Sequence, residues 1–309
     1  MTDTAAVPQF KRGRKPTVRL ALPYVHTYAA QPFPAPTYPV DVTGGITDWG
    51  PLGNAPDPTL TVNGGQPVGD CTFAGRQHYR MAKAAAGGET ETWETSDQLV
   101  TEYLDYDHGQ DDGAVISDLL MDWYKAGKIL AFGIVDHTDK AACDAAMATF
   151  HGLYCGVNLT DDADQLFPNQ PWTVANGEQP DPNDGHCIVK VRAEGPDGLD
   201  GWVTWGAVQA STVGWTAACL DEAYVIITQE DADAAGLDIA KLRADIDALG
   251  GTGGSPAPVP EPTPMPVPDP TPVPVPDPAP VPPAPPTPEE VSFFKRLLAW
   301  LEHTLEDVA

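Results

Sequence analysis

The sharpest chemical signal in this chain is the run VGDCTFAG at residues 68–75. It sets Cys71 just after a glycine turn, where a helix should begin. A thiol there meets unpaired backbone N–H groups and the positive end of the helix dipole, and both stabilise a thiolate. A nucleophilic thiol also needs a base within hydrogen-bond reach. His78 lies on the same helix but seven residues on, about 10 Å along the axis and too far to act. His26, His108, His137, His151 and His303 have no supporting context. His186 follows the loop PDPNDG and opens the apolar strand HCIVKV, so a loop delivers it to a sheet edge. The chemistry of such a pair is attack of a thiolate on a carbonyl. The plainer reading makes Cys71 a small buried apolar residue and His186 a structural one. Cys143, Cys155, Cys187 and Cys219 sit inside helix or strand patterns and read as core.

The elements around the pair divide into helices and strands. A helix starts at Cys71 and stops at Gly87-Gly88. A second opens on a capping box, Thr95 to Gln98. A third covers Ala114 to Ala126 with Val115, Leu119, Leu120 and Trp123 on one face. A fourth runs from Thr138 through AACDAAMATF. LYCGVNL, HCIVKVRA, GWVTWGAVQ and EAYVIIT are short, rich in β-branched and aromatic residues, and read as strands. Helices first and antiparallel strands after predict an α+β domain over residues 45–230. Residues 231–250 read as a further, peripheral helix. Residues 1–44 read as an extended arm, with segments such as QPFPAPTYPVDV laid over a surface.

Charge narrows the partners. The net charge is −27, from 17 Lys and Arg against 44 Asp and Glu. Lys11, Arg12, Arg14, Lys15 and Arg19 make the start of the chain basic, and the rest is strongly acidic. Phosphate repels such a body, which excludes nucleic-acid binding by the main domain. The basic arm is either a solvated tail or a contact for phosphate, lipid headgroups or the protein's own acidic surface. The acidic stretches DDADQ and NGEQPDPND read as solvated surface. Asp161, Asp162, Asp164, Asp181 and Asp184 have none of the spacing of a calcium loop. No P-loop, GxGxxG or HExxH motif occurs, so no cofactor and no metal is expected. Five widely spaced cysteines, with no CxxC, fit a reducing compartment. The first twenty residues have no apolar signal region, and no run is long enough to span a membrane.

Residues 251–287 alternate proline with Val, Asp, Thr and Ala and read as an extended polyproline II linker. Residues 288–309 form an amphipathic docking helix, capped by Thr287 with Glu290 completing a capping box. Val291, Phe294, Leu298, Leu301, Leu305 and Val308 make a coiled-coil seam. A helix this short is marginal alone in water, so a protein partner or self-association is expected to cover the seam.

GDCTFAG, DDGAVISDLLMDWYKAGKI, GHCIVKV, VTWGAVQAST and DEAYVII, in that order, resemble the papain-like cysteine peptidase superfamily. The likeness is to its bacterial and phage group with a Gly-Asp-Cys-Thr helix start, and covers roughly residues 45–228. With the spacer and terminal helix, the chain looks like a protein of an actinobacterial phage. The resemblance implies a thiol hydrolase, peptidase or amidase, acting on a peptide or protein substrate with Cys71 as nucleophile and His186 as base. It implies a site in the host cytoplasm or the virion. Papain's Asn-Ser-Trp-Gly segment, laid on VTWG, puts Val203 at the Asn position and Thr204 at the Ser position. Thr204, Asp200 or Glu222 then orients the histidine, and Trp205 shields it. Gln66, Asn63 and Asn54 are the alternatives for the oxyanion amide. The competing expectation is a catalytically weak or inactive papain-like module serving as a virion structural or interaction protein.

Overall fold

Glycine and proline punctuation divides the chain into short elements that converge on one antiparallel sheet. The computed structural model describes residues 12–16, 20–50, 67–87, 93–174, 177–195 and 197–250. The expected linker at 251–287, the docking helix at 288–309 and the amide candidates Asn54, Asn63 and Gln66 lie outside the described residues. In chain order the elements are β1 (Val40–Asp41), α1 (Cys71–Gly87), α2 (Ser96–Tyr106), α3 (Ile116–Lys125), β2 (Ala131–Val135) and α4 (Lys140–Phe150). There follow β3 (Leu153–Asn158), α5 (Ala163–Leu166), β4 (Gly185–Ala193), β5 (Asp200–Thr204), β6 (Ala207–Ser211), α6 (Val213–Cys219), β7 (Leu220–Ile227), α7 (Gln229–Ala234) and α8 (Ile239–Ala248).

The strands run in the order β2-β7-β3-β4-β5-β6, with β1 also on β4, and every pairing is antiparallel. The architecture is α+β. Its strand order differs from the expectation in two places. The five-residue strand β2 lies between α3 and α4, so helices and strands are not cleanly segregated. GWVTWGAVQ is not one strand but the hairpin β5–β6. Trp205 and Gly206 turn it, with φ of 45° and 78°. Positive φ at both central residues is the turn whose twist suits a two-residue hairpin. The expected helix at 231–250 is also two helices, α7 and α8, broken at Gly236.

Helix α1 packs on the centre of the sheet. Gly75 makes this approach possible, because a Cβ there would lie 3.1 Å from the Cys187 Sγ and from the Tyr154 ring. The same helix covers its outer side with Phe73, whose ring meets Tyr103, Tyr106 and Trp123 edge-on or tilted at 5.7–6.1 Å. Thr95 caps α2 through both bonds of a capping box, as its sequence predicts. At the far end of the sheet Lys190 is wholly buried. Its ammonium donates to Asp144 at 2.8 Å and pairs with Asp200 at 3.3 Å, so the buried charge is compensated.

Candidate active site

Cys71 is the first residue of α1, where Phe73 and Ala74 donate their N–H groups to the Asp70 carbonyl at 2.9 and 3.0 Å. The cysteine is fully buried. The backbone of Cys187, the residue next to His186 on β4, lies near enough to lower the thiol's pKa. Helix α1 therefore packs on β4, the strand that carries His186. The Nε2 of His186 lies 2.7 Å from the Thr204 Oγ1. Its Nδ1 is buried and has no hydrogen-bond partner among the described residues. The imidazole stacks on the Trp205 indole, with centroids 4.9 Å apart and planes 26° from parallel. Phe167 and Trp172 meet that indole edge-on at 5.0 and 6.0 Å and hold it in place.

These contacts sort the alternatives for the third position. Thr204 touches His186. Asp200, at the other end of β5 and about 13 Å away at strand rise, is taken up elsewhere: the Thr216 hydroxyl donates to it at 2.7 Å and Lys190 pairs with it. Glu222 accepts from Tyr224 at 2.9 Å and from Arg14 at 2.7 Å. Asp200 is thus corrected from a candidate orienting group to a member of the buried lysine network. Val203 is buried in the core.

The basic arm, one of whose readings was a solvated tail, crosses directly over Cys71. The Gly13 backbone lies near enough to lower the Cys71 thiol, and the Gly13 carbonyl accepts from Ala114 N–H at 2.7 Å. Lys15 N–H donates to the Ala114 carbonyl at 2.9 Å and Arg14 N–H to the Gly185 carbonyl at 3.3 Å. Four glycines form the channel around this segment. A Cβ on Gly69, Gly113, Gly156 or Gly185 would stand 2.7 Å or closer to an atom of Arg12, Gly13 or Arg14. A Cβ on Gly13 itself would lie 1.4 Å from the Gly69 carbonyl oxygen. Only a bare backbone fits at that point.

The two arginines reach opposite walls. Arg12 donates to Asp184 at 2.7 Å and Asp164 at 2.5 Å, with its guanidinium 4.9 Å from the Trp205 ring centroid. Arg14, 1% exposed in its side chain, donates to Glu222 at 2.7 Å, Asn158 at 3.0 Å, the Val157 carbonyl at 3.3 Å, and Asp221. Asp164 and Asp184 are therefore ion-pair partners and not the solvated acids that their sequence context suggests.

Burial sets the protonation states under the docked arm. It pushes the Cys71 thiol up to about 11, against the backbone of Cys187, with neighbouring Asp70 raising it further and the Gly13 backbone and Arg12 lowering it. His186 is held well below its usual value by burial first, then by Arg12, His78 and Arg14. Asp70 is also wholly buried, both of its carboxyl oxygens lack a hydrogen-bond partner, and burial raises it well above the usual carboxylate range. Cys71 and His186 are thus a neutral thiol and a neutral imidazole while the arm is in place. Sequence reasoning missed Asp70 and the arm's glycine; the signal for the latter was a lone glycine between two arginines.

No protein-family model matches the sequence, and no curated protein matches it. Among solved structures, xylellain, a cysteine protease from Xylella fastidiosa, is similar with a TM-score of 0.49 and 11% identity, over 72% of this chain and 98% of that one. Among the described residues, no group of three or more His, Cys, Asp or Glu is arranged to hold a metal ion, and no helix is long and apolar enough to cross a membrane.

Proposed function

We propose that this chain is a papain-like thiol hydrolase, cleaving a peptide or amide bond, with Cys71 as nucleophile, His186 as base and Thr204 as the group that orients the imidazole. The observation that carries the reading is the division of labour on the His186 ring. Nε2 is fixed by the Thr204 hydroxyl, and Nδ1, without a hydrogen-bond partner among the described residues, remains for the thiol of the helix-terminal cysteine. Hydrogen bonds of a catalytic pair are commonly loose until substrate binds.

The chemistry balances with water as the only co-reactant. The Cys71 proton passes to His186 Nδ1, and the thiolate attacks the carbonyl carbon. The tetrahedral intermediate collapses as His186 returns the proton to the departing amine, leaving a thioester on Cys71. His186 then takes a proton from water, the hydroxide attacks the thioester, and the acid leaves with the thiol restored. The helix N-terminus supports the thiolate and the developing oxyanion alike. The terminal helix at 288–309 would tether this activity to a protein partner.

The second reading is a phage structural module without turnover. It is favoured by the neutral, occluded state of both residues. Iodoacetamide labelling of Cys71 across pH separates the two, in a chain whose arm is dislodged by Gly13→Ala. A thiolate–imidazolium pair labels rapidly below pH ~6, not at all in Cys71→Ser and slowly in His186→Ala. Labelling only above pH ~8 in the opened chain removes the hydrolase reading.

A further inference from the structure

The segment Arg12-Gly13-Arg14 sits where a substrate peptide would have to lie if Cys71 is the nucleophile. We infer that the cleft is a peptide-binding groove with two acidic subsites, selecting arginine on both sides of a glycine, and that the N-terminal arm fills it as a pseudosubstrate. The proposal deepens the hydrolase reading and rests on it for the word substrate. The binding groove stands on its own geometry.

Three independent features define the groove. Its floor is the set of glycines 69, 113, 156 and 185, drawn from four separate segments, each too close to the arm to carry a side chain. A channel that excludes Cβ atoms is built to take a backbone. Its rim offers main-chain pairing at Ala114 and Gly185, so an extended peptide is held by bonds that do not depend on sequence. Selectivity comes from the ends. On one side Asp164 and Asp184 receive Arg12 edge-on while Trp205 takes its face. On the other, Glu222, Asp221, Asn158 and the Val157 carbonyl surround Arg14 with acceptors that its planar five-donor head can satisfy together. A lysine has no such fork. Arg-Gly-Arg also reads the same in either direction, so the subsite chemistry is independent of chain polarity.

The arm is an occupant that the cleft cannot cut. The Gly13 carbonyl is held by Ala114 N–H at 2.7 Å and the Arg14 carbonyl is packed against Gly185, so neither is free to present its carbon to the sulfur. A thiolate has no carbonyl carbon to attack. The same contact that selects the peptide therefore blocks the site while the arm is docked.

The test uses the full-length chain with Cys71→Ser, so that binding is read without turnover. The probe is a fluorescent peptide of residues 10–16, Phe-Lys-Arg-Gly-Arg-Lys-Pro, followed by anisotropy. With the arm intact, the peptide is expected to bind poorly. Gly13→Ala should expel the arm and raise affinity by at least about tenfold. In that background, replacing either arginine of the peptide by alanine, or Asp184→Asn or Glu222→Gln in the chain, should weaken binding by about tenfold or more, the worth of a charge-assisted bond. If Gly13→Ala does not fold, Arg12→Ala, which breaks only the less buried pairs, opens the groove instead. Equal binding of peptides with and without arginine overturns the specificity. Equal binding to arm-intact and arm-released chains overturns the pseudosubstrate. This peptide is expected to bind uncut to the arm-released Cys71 form. Its binding together with no hydrolysis of any member of a varied peptide library would refute the hydrolase and leave the groove; hydrolysis of other peptides without binding of this one does the reverse.

Discussion

Arg14→Ala tests the strength of the latch without altering Cys71, His186 or the glycine channel. The magnitude follows from the burial of its partners. Asp221 is 44% exposed and contributes little. Glu222 is 7% exposed and Arg14 1% exposed, so their 2.7 Å bond is a buried, charge-assisted one. Removing the arginine takes from Glu222 its buried cationic partner, with the Tyr224 hydroxyl still donating to it, and empties the acceptors Asn158 and Val157. Breaking one side of a buried pair costs about 3–5 kcal/mol. Tyr224 softens that to about 3 kcal/mol, since one bond to the carboxylate survives. The loss falls on arm docking, a local equilibrium, and not on global unfolding. At 1.4 kcal/mol per factor of ten, the open form rises about a hundredfold. Iodoacetamide labelling of Cys71 at pH 9, read by mass spectrometry, should accelerate by about that factor over the native chain. An acceleration below about threefold in a chain with native circular dichroism would mean that the arm does not gate the sulfur, and the reasoning fails.

Other consequences are equally direct. Thr204→Val, in the Gly13→Ala background, should slow Cys71 labelling at pH 6 by roughly tenfold because the imidazole loses its one fixing bond. Thr204→Ser should restore the rate, and equal rates in all three would remove Thr204 from the site. Acid should loosen the arm. Docked His186 is held well below its usual value, while exposed it returns to about 6.5, so only the undocked form takes up the proton. The docked state is fully favoured above pH ~6.5 and loses about tenfold per unit below it, against the positive Arg12 and Arg14 beside the ring, while buried His78, lowered to about 3, stays neutral. Amide-exchange protection at Ala114 N–H, corrected for intrinsic rates, should fall on that slope; a flat profile from pH 7 to 5 contradicts it. Lys190→Met should destabilise the fold by about 3–5 kcal/mol in urea melts by stranding the buried Asp144 and Asp200. A loss under about 1 kcal/mol would show the network to be dispensable.

Cys71 and His186 were legible because their local sequence states their geometry. A glycine before a cysteine marks a helix start, and a histidine after a loop marks a strand mouth. Helix α1 and the Thr95 cap were readable for the same reason. Strand β2 was not, since AFGIV is buried on both faces and shows no alternation. The β5–β6 turn was hidden because Trp205 adopts a positive φ that is uncommon for residues other than glycine, asparagine or aspartate. Asp164, Asp184 and Glu222 take their roles from arginines 152, 172 and 208 residues away, and Asp200 takes its from Lys190 and Thr216 on other elements, and no local pattern carries that information. The same holds for Arg12-Gly13-Arg14: composition makes it a charged tail, and only the tertiary fold gives it an address.

The arm is joined to the body by very little chain. Leu20, which packs against the core, stands six positions after Arg14, docked in the groove. So short a tether keeps the segment at an effective concentration of at least millimolar at its own groove. A free peptide of equal intrinsic affinity would need to reach that concentration to share the site by mass action. Cutting the chain between Lys15 and Leu20 would instead dilute the occupant from that local value to the bulk concentration in one step. By this arithmetic the molecule responds weakly to ligand supply and strongly to a single nick, and release of the cleft would be timed by an irreversible event.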